Sequence, residues 1–262
     1  MVLRLVRLLR DVPDTEAASG VPVWTVGDVG AHLAGVHFAY SAGFLDRSLD
    51  WDALLPPDSG SFSERIAAVN APSIGLFDGE ERTRIGEFIG ERSEKFLRVT
   101  EGLAPDTPVN APWLGKDPSL TLAATGLMLS ESLVHGLDIA RGAGLPWTIG
   151  PDEARLVLGQ SMPTMMPLGL DADRARGVSI SLDLVIKGGP RLAVVVGNGA
   201  ATVTRDAPSR PYDCRITAEP VAFLLVSFRR MPVWKAIASG RMRAGGRRPW
   251  LAMRLGELID SP

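Results

Sequence analysis

A change of period near residue 148 constrains this chain more than any other feature. Ahead of "GLPWTIGP" the apolar residues recur at three- and four-residue steps; behind it they run together in Val- and Ile-rich stretches bounded by glycine turns. The first texture belongs to helices and the second to strands. "MVLRLVRLLRDVPD" alternates arginine with leucine and valine and reads as an amphipathic helix. In "WTVGDVGAHLAGVHFAYSAGFLDRSL", Thr25 is the expected N-cap and Asp28 the capping-box acid, with Val29, Leu33, Val36 and Tyr40 as the apolar stripe. "LPPDSGSFSER" opens as a loop. "DGEERTRIGEFIGERSEKFLRVTEGL" carries Ile85, Phe88, Ile89, Phe96 and Leu97 on one side. "DPSLTLAATGLMLSESLVHGLDIARG" is expected to start at Asp117 and stop at Gly142. Four long helices predict a four-helix bundle over residues 1–148.

Past residue 148 the pattern predicts a helix over "PDEARLVLGQSMPTMMPLGL", then strands in "GVSISLDLVIKGGPRLAVVVGNGAATVTRD" with turns at "KGGP" and "GNGA". The closing "EPVAFLLVSFRRMPVWKAIASGRM" reads as helix again. The expectation is an α+β protein: a bundle domain, 1–148, followed by a smaller α+β domain, 149–262.

Charge and cysteine use narrow the function classes. A formal charge of −2 gives no bulk pull toward nucleic acid, and "GRMRAGGRRPW" reads as a solvated loop or helix end. The single cysteine, Cys214, excludes an internal disulfide and a multi-cysteine metal site; in its strand context it reads as a small buried hydrophobe. No segment approaches the ~18 apolar residues of a membrane span, and the N-terminus is too charged for a signal peptide. A soluble cytoplasmic protein without membrane or nucleic-acid partners is expected.

The chain has three histidines, and "ESLVHGLDIARG" sets one of them four residues after a glutamate. Glu131 and His135 then share a helix face, with Asp138 three residues further along it. Such a pair can bind a metal from one helix, but by itself it is more often an ordinary charged rung or a hydrogen-bonded core residue. A mononuclear catalytic site needs a third ligand. His32 and His37 both lie on the first long helix, about 140° apart around its axis, so they do not face one point. The order of residues is not that of the H-E-x-x-H metalloproteases.

Two motifs tie these residues to a known family. "VPVWTVGDVGAHLAGVHFAY" and "ESLVHGLDIARG" resemble the paired signatures of the mycothiol-dependent maleylpyruvate isomerase family, which joins a DinB-like four-helix bundle to a sterol-carrier-like α+β domain. The resemblance implies metal ligands at His32, Glu131 and His135, with zinc as the usual ion. It implies mycothiol, the small thiol of actinobacteria, as cofactor or co-substrate on a small electrophile. It also implies a substrate-handling arginine in "LLVSFRR", best matched by Arg229, with Arg230 as its rival. Asp138 would orient His135 or a neighbouring helix, or form a structural salt bridge, for instance with Arg141, and His37 would line the cofactor cavity. One departure stands out: the family opening reads Cys-Pro-Gly-Trp where this chain has "GVPVW", so the local turn is expected to differ. The resemblance leaves isomerase or S-transferase as the activity; a non-catalytic binder of a small molecule or lipid is the alternative.

Overall fold

The computed structural model describes residues 1–43, 50, 55, 60–114, 120–121, 125–205 and 211–260. The chain divides into two compact units: 1–60 with 64–148, and 149–262 with 61–63.

In the first unit four helices pack together: α1 (Val2–Asp11), α2 (Val26–Gly43), α5 (Ile85–Thr100) and α6 (Gly126–Ala143). Between them lie α3 (Phe62–Ile74) and the short α4 (Gly79–Thr83). Their common core holds Leu5, Leu8, Val29, Leu33, Ile89 and Ile139, all buried. Burial of each such side chain stabilises by roughly 1.5–3 kcal/mol, which is why the period-3.6 stripe decides the packing. α2 starts as its sequence dictates: Thr25 Oγ1 accepts from the Asp28 amide at 3.1 Å, and Asp28 Oδ2 accepts from the Thr25 amide at 3.0 Å.

Several expectations are corrected. The charged segment after Asp78 is two helices rather than one, because Arg84 leaves helical geometry at φ −108°, ψ 7°. Residues 62–74, given no element from sequence, form α3. The expected helix start at Asp117 lies outside the described residues; β2 (Leu120–Thr121) instead pairs antiparallel with β1 (Pro108–Val109). α6 ends not at Gly142 but at Gly144, whose φ of 67° makes the left-handed cap. Gly142 lies inside the helix, where a Cβ would stand 2.5 Å from the Ala18 carbonyl oxygen.

The second unit opens with α7 (Pro151–Leu168) and builds a five-stranded sheet in the order β5-β4-β3-β6-β7. β3 (Ile180–Ile186), β4 (Arg191–Gly197) and β5 (Ala200–Arg205) form an antiparallel meander, β6 (Cys214–Ala218) runs parallel to β3, and β7 (Met242–Gly245) closes the edge antiparallel to β6. Gly197 pairs with Ala200, leaving a two-residue loop in which Asn198 and Gly199 both have positive φ (54° and 74°). Asn-Gly suits that primed turn, whose twist matches the strands. One sheet face is apolar, with Leu182, Leu184, Leu192, Val194 and Ile216 buried. On the other, the buried Asp183 carboxylate takes a two-pronged contact from Arg191 (2.8 and 2.9 Å) and a third hydrogen bond from Arg215. Burial opposes its charge, but the two guanidiniums prevail and hold it below the usual carboxylate range. Cys214 is buried, and burial raises its thiol to about 11, as expected for an inert core residue.

The closing segment is not one helix. α8 (Pro220–Ser227) ends in a Schellman turn, with the Arg230 amide on the Leu225 carbonyl (2.7 Å) and the Arg229 amide on that of Val226 (3.0 Å). Arg229 takes the left-handed position at φ 56°. After Pro232 come α9 (Val233–Ala238), β7 and α10 (Leu251–Leu258). The "GRMRAGG" run, expected as loop or helix end, supplies β7. Among the described residues no helix is long and apolar enough to cross a membrane.

Candidate metal centre

α2 and α6 pack against each other and bring the two motifs together. One potential ligand atom from each of His32, Glu131 and His135 lies within 4.8 Å of the other two. Glu131 Oε2 stands 3.2 Å from Nε2 of both histidines, whose rings meet edge-on with centroids 4.9 Å apart. Two imidazole nitrogens and a carboxylate oxygen thus converge on one point, the donor set of a three-ligand site with an open position. Glu131 keeps 28% of its side chain exposed, against 15% for His135 and 4% for His32, so the point is reachable along the glutamate.

His135 is oriented from behind. Its Nδ1 lies 3.0 Å from Oδ2 of Asp138, whose side chain is fully buried. A carboxylate on the far nitrogen fixes the ring and leaves Nε2 for a metal. The alternative partner, Arg141, is exposed and makes no ion pair among the described residues. His32 differs: its Nδ1 is buried and has no partner among the described residues.

The electrostatics follow from these contacts. Burial alone would raise the Glu131 carboxyl, but hydrogen bonds from His135 and His32 pull it below the usual range. For His135 burial works downward, and the Asp138 and Glu131 carboxylates overcome it, raising the imidazole to about 9. Burial dominates at His32 and depresses it. The metal-free site therefore pairs one anionic glutamate with one imidazolium and one neutral imidazole.

A tight loop covers the histidines. The Gly20 amide donates to the Asp138 carbonyl (3.1 Å), the Ser19 amide to the Trp24 carbonyl (3.1 Å), and the Trp24 amide to the Val21 carbonyl (3.3 Å). Trp24 is thereby held at both ends, with its ring 5.2 Å from His32 and 6.3 Å from His135. The Pro22–Val23 turn puts Val23 at φ 64° and 99% exposed. Left-handed geometry is what the glycine of a Pro-Gly pair adopts freely; a β-branched residue adopts it under strain. The departure from Cys-Pro-Gly-Trp is thus a strained residue in a turn suited to glycine. Trp24 has no role among the residues expected from sequence; its place one residue before the helix cap is the signal that marks it.

His37 is not brought to the triad. It is buried between two serines, with Ser93 Oγ 2.8 Å from Nδ1 and Ser132 Oγ 3.2 Å from Nε2. Burial pushes it down to about 4, so the ring is neutral, donating to one serine and accepting from the other. Both nitrogens are engaged. Arg229 is exposed in the second unit, and Arg230 donates from Nη1 to the Phe228 carbonyl (2.8 Å).

Comparisons with known proteins bear on this site unequally. No curated protein matches the chain in sequence. Solved structures include an inverting sec-alkylsulfatase, Pisa1 from Pseudomonas sp. (17% identity over 54% of this chain, TM-score 0.38), and the chain spans only 24% of that enzyme's length. A sterol carrier protein 2-like protein from Aedes aegypti (18% identity, 41% of this chain and 91% of the other, TM-score 0.26) and the ubiquinone synthesis protein UbiJ-SCP2 (20%, 33% and 71%, TM-score 0.26) also align. Such low scores carry no argument, and the α+β architecture stands on the strand pairing. The family model is different in weight. Residues 2–140, more than half the chain, match the mycothiol maleylpyruvate isomerase N-terminal domain, a span that holds the first motif and the second as far as Ala140. With His32, Glu131 and His135 converging inside that span, the chain belongs to the mycothiol maleylpyruvate isomerase family.

Proposed function

We propose that this protein is a metal-dependent enzyme that uses mycothiol on a small electrophile, as an isomerase or an S-transferase. The observation that carries it is the convergence of His32 and Glu131–His135, 99 residues apart in sequence, on one partly open point. Three deprotonatable donors with an open side suit a divalent ion, zinc first. A divalent ion bound there would hold an incoming thiol as thiolate at neutral pH, a nucleophile that the buried Cys214 does not supply.

The chain's own residues have separate tasks in this reading. Asp138 fixes the ring of His135 and its tautomer. Trp24 walls the histidine pair with an apolar face. Arg229 is proposed to hold a substrate carboxylate; its exposed guanidinium, on a turn held by two backbone hydrogen bonds, supports that role. His37, with both nitrogens bonded to serines, acts as packing rather than as a cofactor ligand.

The test is turnover of maleylpyruvate, and of electrophilic S-transfer acceptors, with and without mycothiol, by zinc-loaded protein. Thiol-dependent turnover that His32→Ala removes supports the reading. Turnover unchanged in that variant, or independent of thiol, contradicts it.

A further inference from the structure

The two units carry opposite charge. Residues 1–148 hold 12 Lys and Arg against 20 Asp and Glu; residues 149–262 hold 16 against 10. Within the second unit the excess is concentrated, because the chain from Pro220 to Gly256 contains eight Arg and Lys and no acidic residue. Lys235, Arg241 and Arg243 are exposed and make no ion pair among the described residues. Arg241 directly precedes β7, the edge strand, and Arg243 lies on it.

The same segment leaves large apolar side chains in water. Trp234 is 70% exposed and Trp250 64%. Ile237 lies three residues beyond Trp234 on α9, and Met253 three residues beyond Trp250, the N-cap of α10; both are exposed, so each helix carries a Trp–aliphatic pair at i, i+3 spacing. α9 buries only Ala236.

We infer that the 234–253 segment docks this protein on an anionic phospholipid surface. Arginine and lysine suit the headgroup phosphates, and exposed indoles flanked by aliphatic side chains suit the boundary between headgroups and acyl chains. A nucleic acid would satisfy the cations but not Ile237 and Met253, which have no flat face for a base. An acidic protein, including the bundle unit of a second copy, would satisfy the charge without a use for both tryptophans. This inference is independent of the metal reading.

The full-length, zinc-loaded protein is sedimented with vesicles of phosphatidylcholine alone and of phosphatidylcholine mixed with phosphatidylglycerol. Expected is binding to the anionic vesicles only, weakened by salt, with a blue shift of tryptophan emission. Arg241→Gln with Arg243→Gln should lower partitioning by about thirtyfold, and Trp234→Ala with Trp250→Ala by about tenfold or more. All four side chains are exposed, so the melting temperature should hold, and an unchanged melt confirms folding. Absence of binding at low salt overturns the inference. So does binding unchanged by loss of both tryptophans, which would be electrostatic adsorption alone. Tighter binding to duplex DNA than to anionic vesicles, or vesicle-free self-association abolished by the same arginine changes, would also overturn it.

Discussion

Loading the triad with zinc at pH 7 should expel about one proton from His135. With its imidazole raised to about 9, that residue is about 99% protonated at pH 7 in the metal-free protein. Coordination needs the Nε2 lone pair, while Nδ1–H stays on Asp138. The sign follows from the raised value: the proton is held below pH 9, so it competes with metal there and stops competing above. Apparent affinity should rise about tenfold from pH 7 to 8 and level off beyond 9, a penalty at pH 7 of about a hundredfold. Isothermal titration calorimetry in two buffers of different ionisation enthalpy counts the protons directly. Asp138→Asn removes one of the two carboxylates that raise His135, so release at pH 7 should fall well below one. At pH 10, where proton competition is nearly gone, the variant should still bind about 10- to 100-fold more weakly through loss of ring orientation. No proton release by the wild type, or equal release by the variant, would refute this account of the site's electrostatics.

Three further outcomes follow from the packing. Val23→Gly should stabilise by roughly 0.5–1 kcal/mol in urea unfolding, the relief of left-handed strain less the entropy of a new glycine; destabilisation would refute the strained turn. Gly136→Ala would place a Cβ 2.3 Å from Cζ2 of Trp147, whose Nε1 donates to the Leu133 carbonyl (2.9 Å). It should cost about 1–3 kcal/mol in thermal unfolding and weaken zinc at the neighbouring His135, so an unchanged Tm with native affinity would tell against this packing. Ser93→Ala should destabilise by about 1–3 kcal/mol through the unpaired His37 nitrogen while leaving zinc stoichiometry intact; loss of zinc would tie His37 to the centre.

Much of this was legible because it was local. Thr25 and Asp28 announced the start of α2, Asn198-Gly199 the hairpin, and the i, i+4 spacing the shared face of Glu131 and His135. Asp138 fell on His135 by the same helical arithmetic. What stayed hidden needed partners distant in sequence. Gly142 looked like a helix stop because nothing nearby shows that Ala18 crosses it, and His37 looked available because Ser93 lies 56 residues away. The parallel pairing of β6 with β3 has no sequence period of its own, and the breaks at Arg84 and Arg229 occur at residues that ordinarily continue helices. His32 was separable from His37 by angle, but its selection came from the family motif, since only the packing of α2 on α6 joins it to Glu131.

The central claim is that His32, Glu131 and His135 hold one metal ion together. Elemental analysis of zinc-reconstituted, dialysed protein tests it most directly. The account predicts about one zinc per chain in the wild type and loss of nearly all of it in each of His32→Ala, Glu131→Gln and His135→Ala, with folding preserved by circular dichroism. A folded wild type that retains no zinc, or full occupancy in all three variants, would contradict it.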